Sequence, residues 1–179
     1  MAKAKNVLFI LVSCIIVLSF SACNKSKNQN DYPDLTDMGI PVDITEFLCN
    51  YFEECKNGPE AILKYRFFKN EMEKSLILEN DLRIIDYKIE DAEKINDNLY
   101  AFKLNIQNNG MPKKLREANQ YMVIYNFVIN LNDTLYICVR TNDIPEELQE
   151  NFNPDNYRTN SEVVGNIGGI DVVVPELVG

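Results

Sequence analysis

The sequence contains no histidine and no tryptophan among its 179 residues. Without histidine, the chain has neither a Ser-His-Asp nor a Cys-His catalytic set, and no site in which histidine binds a metal. Without tryptophan, it has no indole platform for a sugar, although nine tyrosines remain to stack on a ligand. These absences predict that the chain has no catalytic residue of the common types. The alternative is an enzyme in which a tyrosine and a carboxylate transfer protons.

Cysteine is scarce, with five in the chain. Cys14 lies in the apolar N-terminal stretch, Cys23 follows that stretch, and Cys49, Cys55 and Cys138 remain. Three is an odd number, so a disulfide scaffold is excluded. Cys49 and Cys55 are separated by about 9 Å along a predicted helix, which is too far for a bridge between them. Small buried side chains are the favoured interpretation, and a bridge from Cys138 to a helix cysteine is the alternative.

Clustered positive charge is also scarce in this acidic chain, whose formal net charge is −9. The densest basic spot is Lys113, Lys114 and Arg116, which we interpret as a solvated loop. Nucleic-acid binding draws on larger Lys and Arg clusters, so the composition predicts no nucleic-acid partner. The sequence has neither a calcium-loop pattern nor GxGxxG spacing, and it therefore predicts no metal and no cofactor.

The N-terminal residues 1–22 have the pattern of a signal peptide. Lys3 and Lys5 provide positive charge, and residues 7–20 are apolar apart from two serines and Cys14. This run is shorter than the ~20 residues that a stable membrane span needs. It ends in the small residues Ser21 and Ala22, as a cleavage site requires.

Residues 19–23, Ser-Phe-Ser-Ala-Cys, resemble the lipobox of bacterial lipoproteins, with Phe20 where an aliphatic residue is usual. The resemblance implies cleavage before Cys23 and a diacylglyceryl thioether on its sulfur, with acyl chains such as palmitate. Two chains hold a protein stably in a bilayer. The partner implied is the lipid bilayer, reached through acylated Cys23, and the location is the extracytoplasmic face of the cell membrane. An ordinary secretory peptide with unmodified Cys23 is the alternative.

The mature chain divides into three segments. Residues 23–41 comprise the lipidated cysteine and a flexible tether, since residues 24–31 contain no apolar side chain to offset the entropy of folding. Residues 42–152 are predicted to form the folded domain. Residues 153–179 read as a loop and a C-terminal tail, in which residues 170–174 form either an edge strand or a disordered segment.

Helical patterns come first in the domain. Asp43 with Glu46 resembles a capping box that opens an amphipathic helix. Residues 57–58 end that helix, and Pro59 suits the first turn of a second. A third, short helix is predicted from Asn70. After the strands, residues 145–152 predict a short closing helix that begins at Pro145.

Four alternating apolar patterns follow, within residues 82–91, 100–106, 121–131 and 134–140. A bulge is predicted at residues 84–85, and a tight turn at Asn132 and Asp133. Helices followed by strands predict an α+β fold. Two or three N-terminal helices pack on a four-stranded antiparallel meander in a cone-like arrangement, with the short closing helix at the end.

This order of elements resembles the nuclear transport factor two-like (cystatin-like) cone fold, as found in small exported lipoproteins of low-GC Gram-positive bacteria. Residues 133–147 carry most of the resemblance, with Tyr136-Ile-Cys138 in the last strand and Asp143-Ile-Pro145 after it. The resemblance implies a pocket between a curved sheet and its helices. Some members are isomerases and many are binding modules. No residue here matches a catalytic motif of that family.

The tyrosines have two interpretations. They either pack in the core or line a cone and transfer protons with a buried acid; they are Tyr51, Tyr65, Tyr100, Tyr121 and Tyr125. The leading hypothesis is a non-catalytic binding or accessory module for an unknown small molecule, envelope polymer or protein. The alternative is an isomerase- or dehydratase-type enzyme using Tyr and Asp or Glu. A third hypothesis is an interaction protein that uses a β-edge or surface contact.

Overall fold

The computed structural model describes residues 32–69, 71–79, 81–160, 162–167 and 170–179. The predicted leader and Cys23 lie outside the described residues. Pro33–Gly179 form one compact unit. Both hydrophobic cores described below are built from residues of this unit, so it holds the contacts that stabilise its own fold.

Three helices precede the sheet, as predicted: α1 (Val42–Cys55), α2 (Pro59–Tyr65) and α3 (Glu71–Glu79). The predicted Asp43 cap is wrong, because α1 begins at Val42, one residue before Asp43, and Pro41 is its N-cap. The Pro41 carbonyl accepts hydrogen bonds from the backbone N–H groups of Ile44 and Thr45, each at 3.2 Å. Asp43 instead lies in the first turn, where the helix dipole favours an acid.

The four predicted strands form an antiparallel sheet in sequential order: β1 (Ile84–Asn96), β2 (Leu99–Asn108), β3 (Tyr121–Leu131) and β4 (Thr134–Cys138). A register shift between Ile84 and Asp86 is the predicted bulge. Asn132 and Asp133 both have positive φ, at 54° and 61°, as a two-residue type I′ turn requires. The predicted α+β class, with helices before an antiparallel meander, is confirmed.

Both faces of the sheet are covered, so the domain has two cores. The helix-side core lies between the helices and one sheet face, and its buried members include Leu48, Phe52, Phe102, Leu104 and Ile137. The closing-side core lies on the other face, and its buried members include Leu99, Phe127, Ile129, Cys138 and Ile144. Full burial of one such side chain stabilises the fold by about 1.5–3 kcal/mol. Successive residues along a strand therefore pack alternately into the two cores.

The closing-side core is capped by the segment after β4. It forms short 3-10 turns at Thr141–Asp143, Glu146–Leu148 and Pro154–Tyr157. The closing helix predicted for residues 145–152 is therefore limited to one 3-10 turn. Asn151 takes a positive φ of 64°, which ends any helix there and turns the chain so that Phe152 packs on Phe127.

Short elements complete the unit. α4 (Lys113–Glu117) joins β2 to β3. The loop interpretation of Lys113, Lys114 and Arg116 is therefore wrong, since the Pro112 carbonyl accepts from the N–H groups of Leu115 and Arg116 and starts a helical turn. β5 (Glu162–Ile167) and β6 (Ile170–Val174) form an antiparallel hairpin, and β7 (Leu177–Val178) pairs with β3 at Tyr121 and Met122.

Candidate functional site

The first tyrosine–carboxylate pair joins α1 to α2. The Tyr65 hydroxyl donates a 2.6 Å hydrogen bond to Oε1 of Glu54, and the Lys64 ammonium lies 3.0 Å from Oε2. Hydrogen bonds from Tyr65 and Lys64 lower the pKa of Glu54, and the bond from Tyr65 has the larger effect. A carboxylate that exchanges protons near neutral pH needs a raised pKa instead. The geometry therefore describes a surface tie between two helices.

A second pair lies on the sheet face opposite the helices. The Tyr121 hydroxyl donates a 2.6 Å hydrogen bond to Oδ2 of Asp86, and the Lys88 ammonium lies 4.1 Å from the centre of the Tyr121 ring. Tyr125 has the same strand parity as Tyr121 and packs against the closing-side core. These two tyrosines therefore lie on the face opposite the predicted cone interior.

The helix-side core is filled with packed rings. Tyr51 and Tyr100 are each 4% exposed, which confirms the core interpretation for these two residues. The Tyr51 ring lies 4.9 Å from the Phe52 ring, and Phe52 stacks on Tyr87 at 4.7 Å between centroids. Burial raises the pKa of Tyr51, which keeps its hydroxyl protonated. The described residues thus bring no carboxylate into this core beside the tyrosines.

The three cysteines in the described part of the chain are buried and free. Cys55 belongs to the helix-side core and Cys138 to the closing-side core, on opposite faces of the sheet. The alternative of a disulfide from Cys138 to a helix cysteine is therefore wrong. Burial raises the pKa of Cys55 and of Cys138 to about 12. Thiols that stay protonated are poor nucleophiles, and these act as small apolar side chains.

The fold assembles an ion cluster beneath the closing segment that no sequence pattern indicates. Asp143 is a buried carboxylate, and Arg140 binds both its oxygens from Nε and from a terminal nitrogen, each at 3.1 Å. Arg140 also donates to Glu73 on α3, and these bonds raise the pKa of its guanidinium. A buried carboxylate is stabilised by hydrogen bonds to its oxygens and by a nearby positive charge, and Arg140 provides two such bonds and a full charge. The cluster therefore fastens the segment after β4 to the helix layer.

One cavity, which we call the side cavity, lies at the outer edge of β3, with a volume of about 450 Å³. Along this edge, β4 pairs with residues 127–131 of β3, and β7 pairs with residues 121–122. Neither strand pairs with Tyr125, so a gap remains between them at that residue. Tyr157, Arg140 and Arg158 line the same space. Arg158 forms an ion pair with Asp155 at 2.6 Å, so both arginines there already hold carboxylates.

A second cavity, which we call the end groove, lies where the β2–β3 connection meets β7, and its volume is about 500 Å³. Its apolar lining consists of Leu82, Met111, Pro112, Leu115, Met122 and Leu177, with Pro175 shared with the side cavity. Volumes of this order are typical of sites for small ligands. This groove combines segments that are far apart in the sequence, and no sequence pattern predicts it.

The described residues contain no group of three Cys, Asp or Glu side chains arranged to hold a metal ion. None of the helices they form is both long and apolar enough to cross a bilayer. The predicted lipidation site Cys23 lies outside the described residues.

Comparison with models of known protein families found no match, and no curated protein and no solved structure matches the chain. The function is therefore inferred from the residues of this chain and their geometry.

Proposed function

We propose that this protein is an exported, lipid-anchored binding or accessory module that works on the extracytoplasmic face of the cell membrane. The observation that carries the proposal is the leader: positive charge, then an apolar run, then Ser21 and Ala22 directly before Cys23. The two acyl chains of a diacylglyceryl group on the Cys23 sulfur would anchor the protein stably, whereas one chain binds marginally.

The geometry of the described residues favours binding over catalysis. The helix-side core is filled by packed rings, and the buried carboxylate Asp143 is neutralised by Arg140. The carboxylate of Glu54 has a lowered pKa, which does not suit proton transfer near neutral pH. The two cavities, by contrast, are preformed and accessible at one end and one edge of the sheet. A preformed apolar cavity with few polar groups is the usual form of a binding site.

The test of the anchor uses the full chain, expressed in a bacterium that processes lipoproteins. We expect the wild-type protein in the membrane fraction, with an intact mass that corresponds to cleavage before Cys23 and acylation of that residue. Cys23→Ser removes the sulfur that carries the lipid, so the variant should keep its leader or lose the acyl mass. Cys14→Ser is the matched control, because it changes a cysteine within the leader and should be processed normally.

An unmodified N-terminus, or a start at another residue, would reject the anchor and the location together. The binding role has its own test, a pull-down of the acylated protein from its own membranes with wild type and Cys23→Ser in parallel. One partner recovered in stoichiometric amount with wild type would assign a protein ligand. Its absence would leave the cavities as sites for smaller molecules.

A further inference from the structure

The end groove is distinct from the interior of the cone. Phe52, Phe102 and their neighbours fill the space between the helices and the sheet. The groove instead lies at the end of that core, where Leu82 and Met122 pack against it from outside. The β2–β3 connection and the C-terminal strand supply the rest of its wall, through residues such as Leu115 and Leu177.

The wall of the groove is held in place by specific hydrogen bonds. Asn109 donates from its side chain to the Asp81 carbonyl at 2.8 Å, and its amide oxygen accepts from the Arg83 N–H at 3.0 Å. Nε of Arg116 donates to the Met111 carbonyl at 3.2 Å. The segment before β1 and the β2–β3 connection are thus joined across the groove. A wall fixed in this way is preorganised for a ligand, which lowers the entropy cost of binding.

The rim of the groove carries the densest basic cluster of an otherwise acidic chain. Leu115 lines the groove, and Lys113 and Lys114 precede it on α4 with exposed side chains. Lys113 pairs weakly with Glu117 at 3.4 Å. No ion pair with Lys114 is formed by the described residues. A positive rim beside an apolar groove is complementary to a ligand with a negative head and an apolar tail.

From this arrangement we infer that the end groove binds an acyl chain of an anionic membrane phospholipid, while Lys113 and Lys114 contact its phosphate. The inference rests on the proposed location at the membrane, where such lipids are at hand. Lysine side chains near an anionic bilayer surface bind it favourably. The apolar lining gives the chain a surface that excludes water.

The experiment uses residues 33–179, which form the compact unit and contain both cores, without Cys23. Its result is therefore independent of the anchor, and either proposal can fail alone. The probes are vesicles of phosphatidylcholine with equal phosphatidylglycerol, and vesicles of phosphatidylcholine alone. A fraction of the lipid carries a photoactivatable group in its acyl chain, so that adducts can be mapped by mass spectrometry. We expect binding to the anionic vesicles and adducts within residues 110–122 and 175–178.

Lys113→Gln with Lys114→Gln should weaken binding by about 30-fold, since each lysine near an anionic surface contributes to affinity. The matched control is Lys64→Gln with Lys74→Gln, which changes the net charge equally on α2 and α3 and should bind like wild type. Equal weakening by both lysine pairs would overturn the inference, because it would indicate attraction by overall charge.

The apolar contact is tested with Leu115→Gln, which should reduce the adducts in the groove at least tenfold. Leu63→Gln is its control, because Leu63 is a half-buried leucine on another short helix, α2. Unfolding curves of both variants verify that each is folded before binding is measured. Adducts that map elsewhere, or no preference for anionic vesicles, would reject the acyl-chain site.

Discussion

The Tyr157 hydroxyl donates a hydrogen bond of 2.9 Å to Oε2 of Glu93, and this bond joins the closing segment to β1. The Tyr157 ring stacks on Phe152 at 5.2 Å and meets Phe127 edge-on at 5.3 Å. One residue thus combines a polar contact with the sheet edge and an apolar contact with the closing-side core. The segment that caps this core is therefore fastened by a side chain rather than by regular secondary structure.

The first prediction concerns that hydrogen bond. Tyr157→Phe keeps the ring and removes the hydroxyl, so the free energy of unfolding should fall by about 0.5–1.5 kcal/mol. Tyr136→Phe is the control, because the Tyr136 hydroxyl forms no hydrogen bond with the described residues. It should change the stability by a few tenths of a kcal/mol at most. Urea denaturation measures both variants, and equal losses would argue that the bond to Glu93 contributes nothing.

The second prediction is that the protein loses stability in alkali. An unfolded cysteine ionises near pH 8.5, whereas burial holds the pKa of Cys55 and Cys138 at about 12. Above pH 8.5 the unfolded state binds fewer protons than the folded state, so the free energy of unfolding falls as the pH rises. The expected loss is up to about 1.4 kcal/mol per pH unit for each thiol, lasting until the folded thiols ionise.

Denaturation curves recorded between neutral pH and pH 11 test this. Cys138→Ala removes one of the three buried thiols, all of which have raised pKa values, so the stability of the variant should depend less steeply on pH than that of wild type. A slope unchanged by this substitution would assign the alkaline loss to other groups, of which Tyr51 is the first candidate, since burial raises its pKa as well.

The third prediction concerns the buried carboxylate of Asp143. Arg140→Met leaves that carboxylate without its charged partner, so the protein should lose about 1–3 kcal/mol of stability. Adding Asp143→Asn removes the buried charge and should recover part of the loss. The pair forms a double-mutant cycle, in which contacting residues deviate from additivity by about 0.5–3 kcal/mol. Additive losses would show that Arg140 and Asp143 do not stabilise each other.

The fourth prediction concerns the turn between β3 and β4. Both central residues have positive φ, and the second position of such a turn favours glycine. Asp133→Gly should therefore stabilise the protein or leave it unchanged, whereas Asp133→Ala should destabilise it by about 1 kcal/mol. Asp37→Ala, at an exposed position without positive φ, is the control. Thermal unfolding of the three variants measures the difference. An Asp133→Ala variant that is as stable as wild type would contradict the turn assignment.

The order of the elements was predictable because periodicity is a local property. Alternation of apolar residues predicts strands 121–131 and 134–140, and the Asn132-Asp133 pair predicts the turn between them. The buried state of Cys49, Cys55 and Cys138 also followed from composition and spacing. These features depend on neighbours in the sequence, so one chain is enough to predict them.

The cavities and the Arg140 cluster depend instead on contacts between distant segments. Met111 and Leu177 line one groove, yet α4, the whole of β3 and β4, the closing segment and the β5–β6 hairpin separate them in the sequence. Tyr121 and Tyr125 lie on the face opposite the helices, but both faces of β3 are apolar, so its alternation could not assign them a side. Arg140 and Glu73 meet only because the segment after β4 lies beside α3. Local sequence patterns contain no information about contacts between such distant residues.

The burial of the three thiols has a consequence under the proposed location outside the cytoplasm. Each is at most 1% exposed, so oxidants and foreign disulfides reach none of these three thiols while the domain stays folded. An odd set of cysteines, which invites mispairing in a chain that folds slowly, is then harmless in the finished molecule. For a chain exported as proposed, the vulnerable interval is the time between translocation and closure of the two cores.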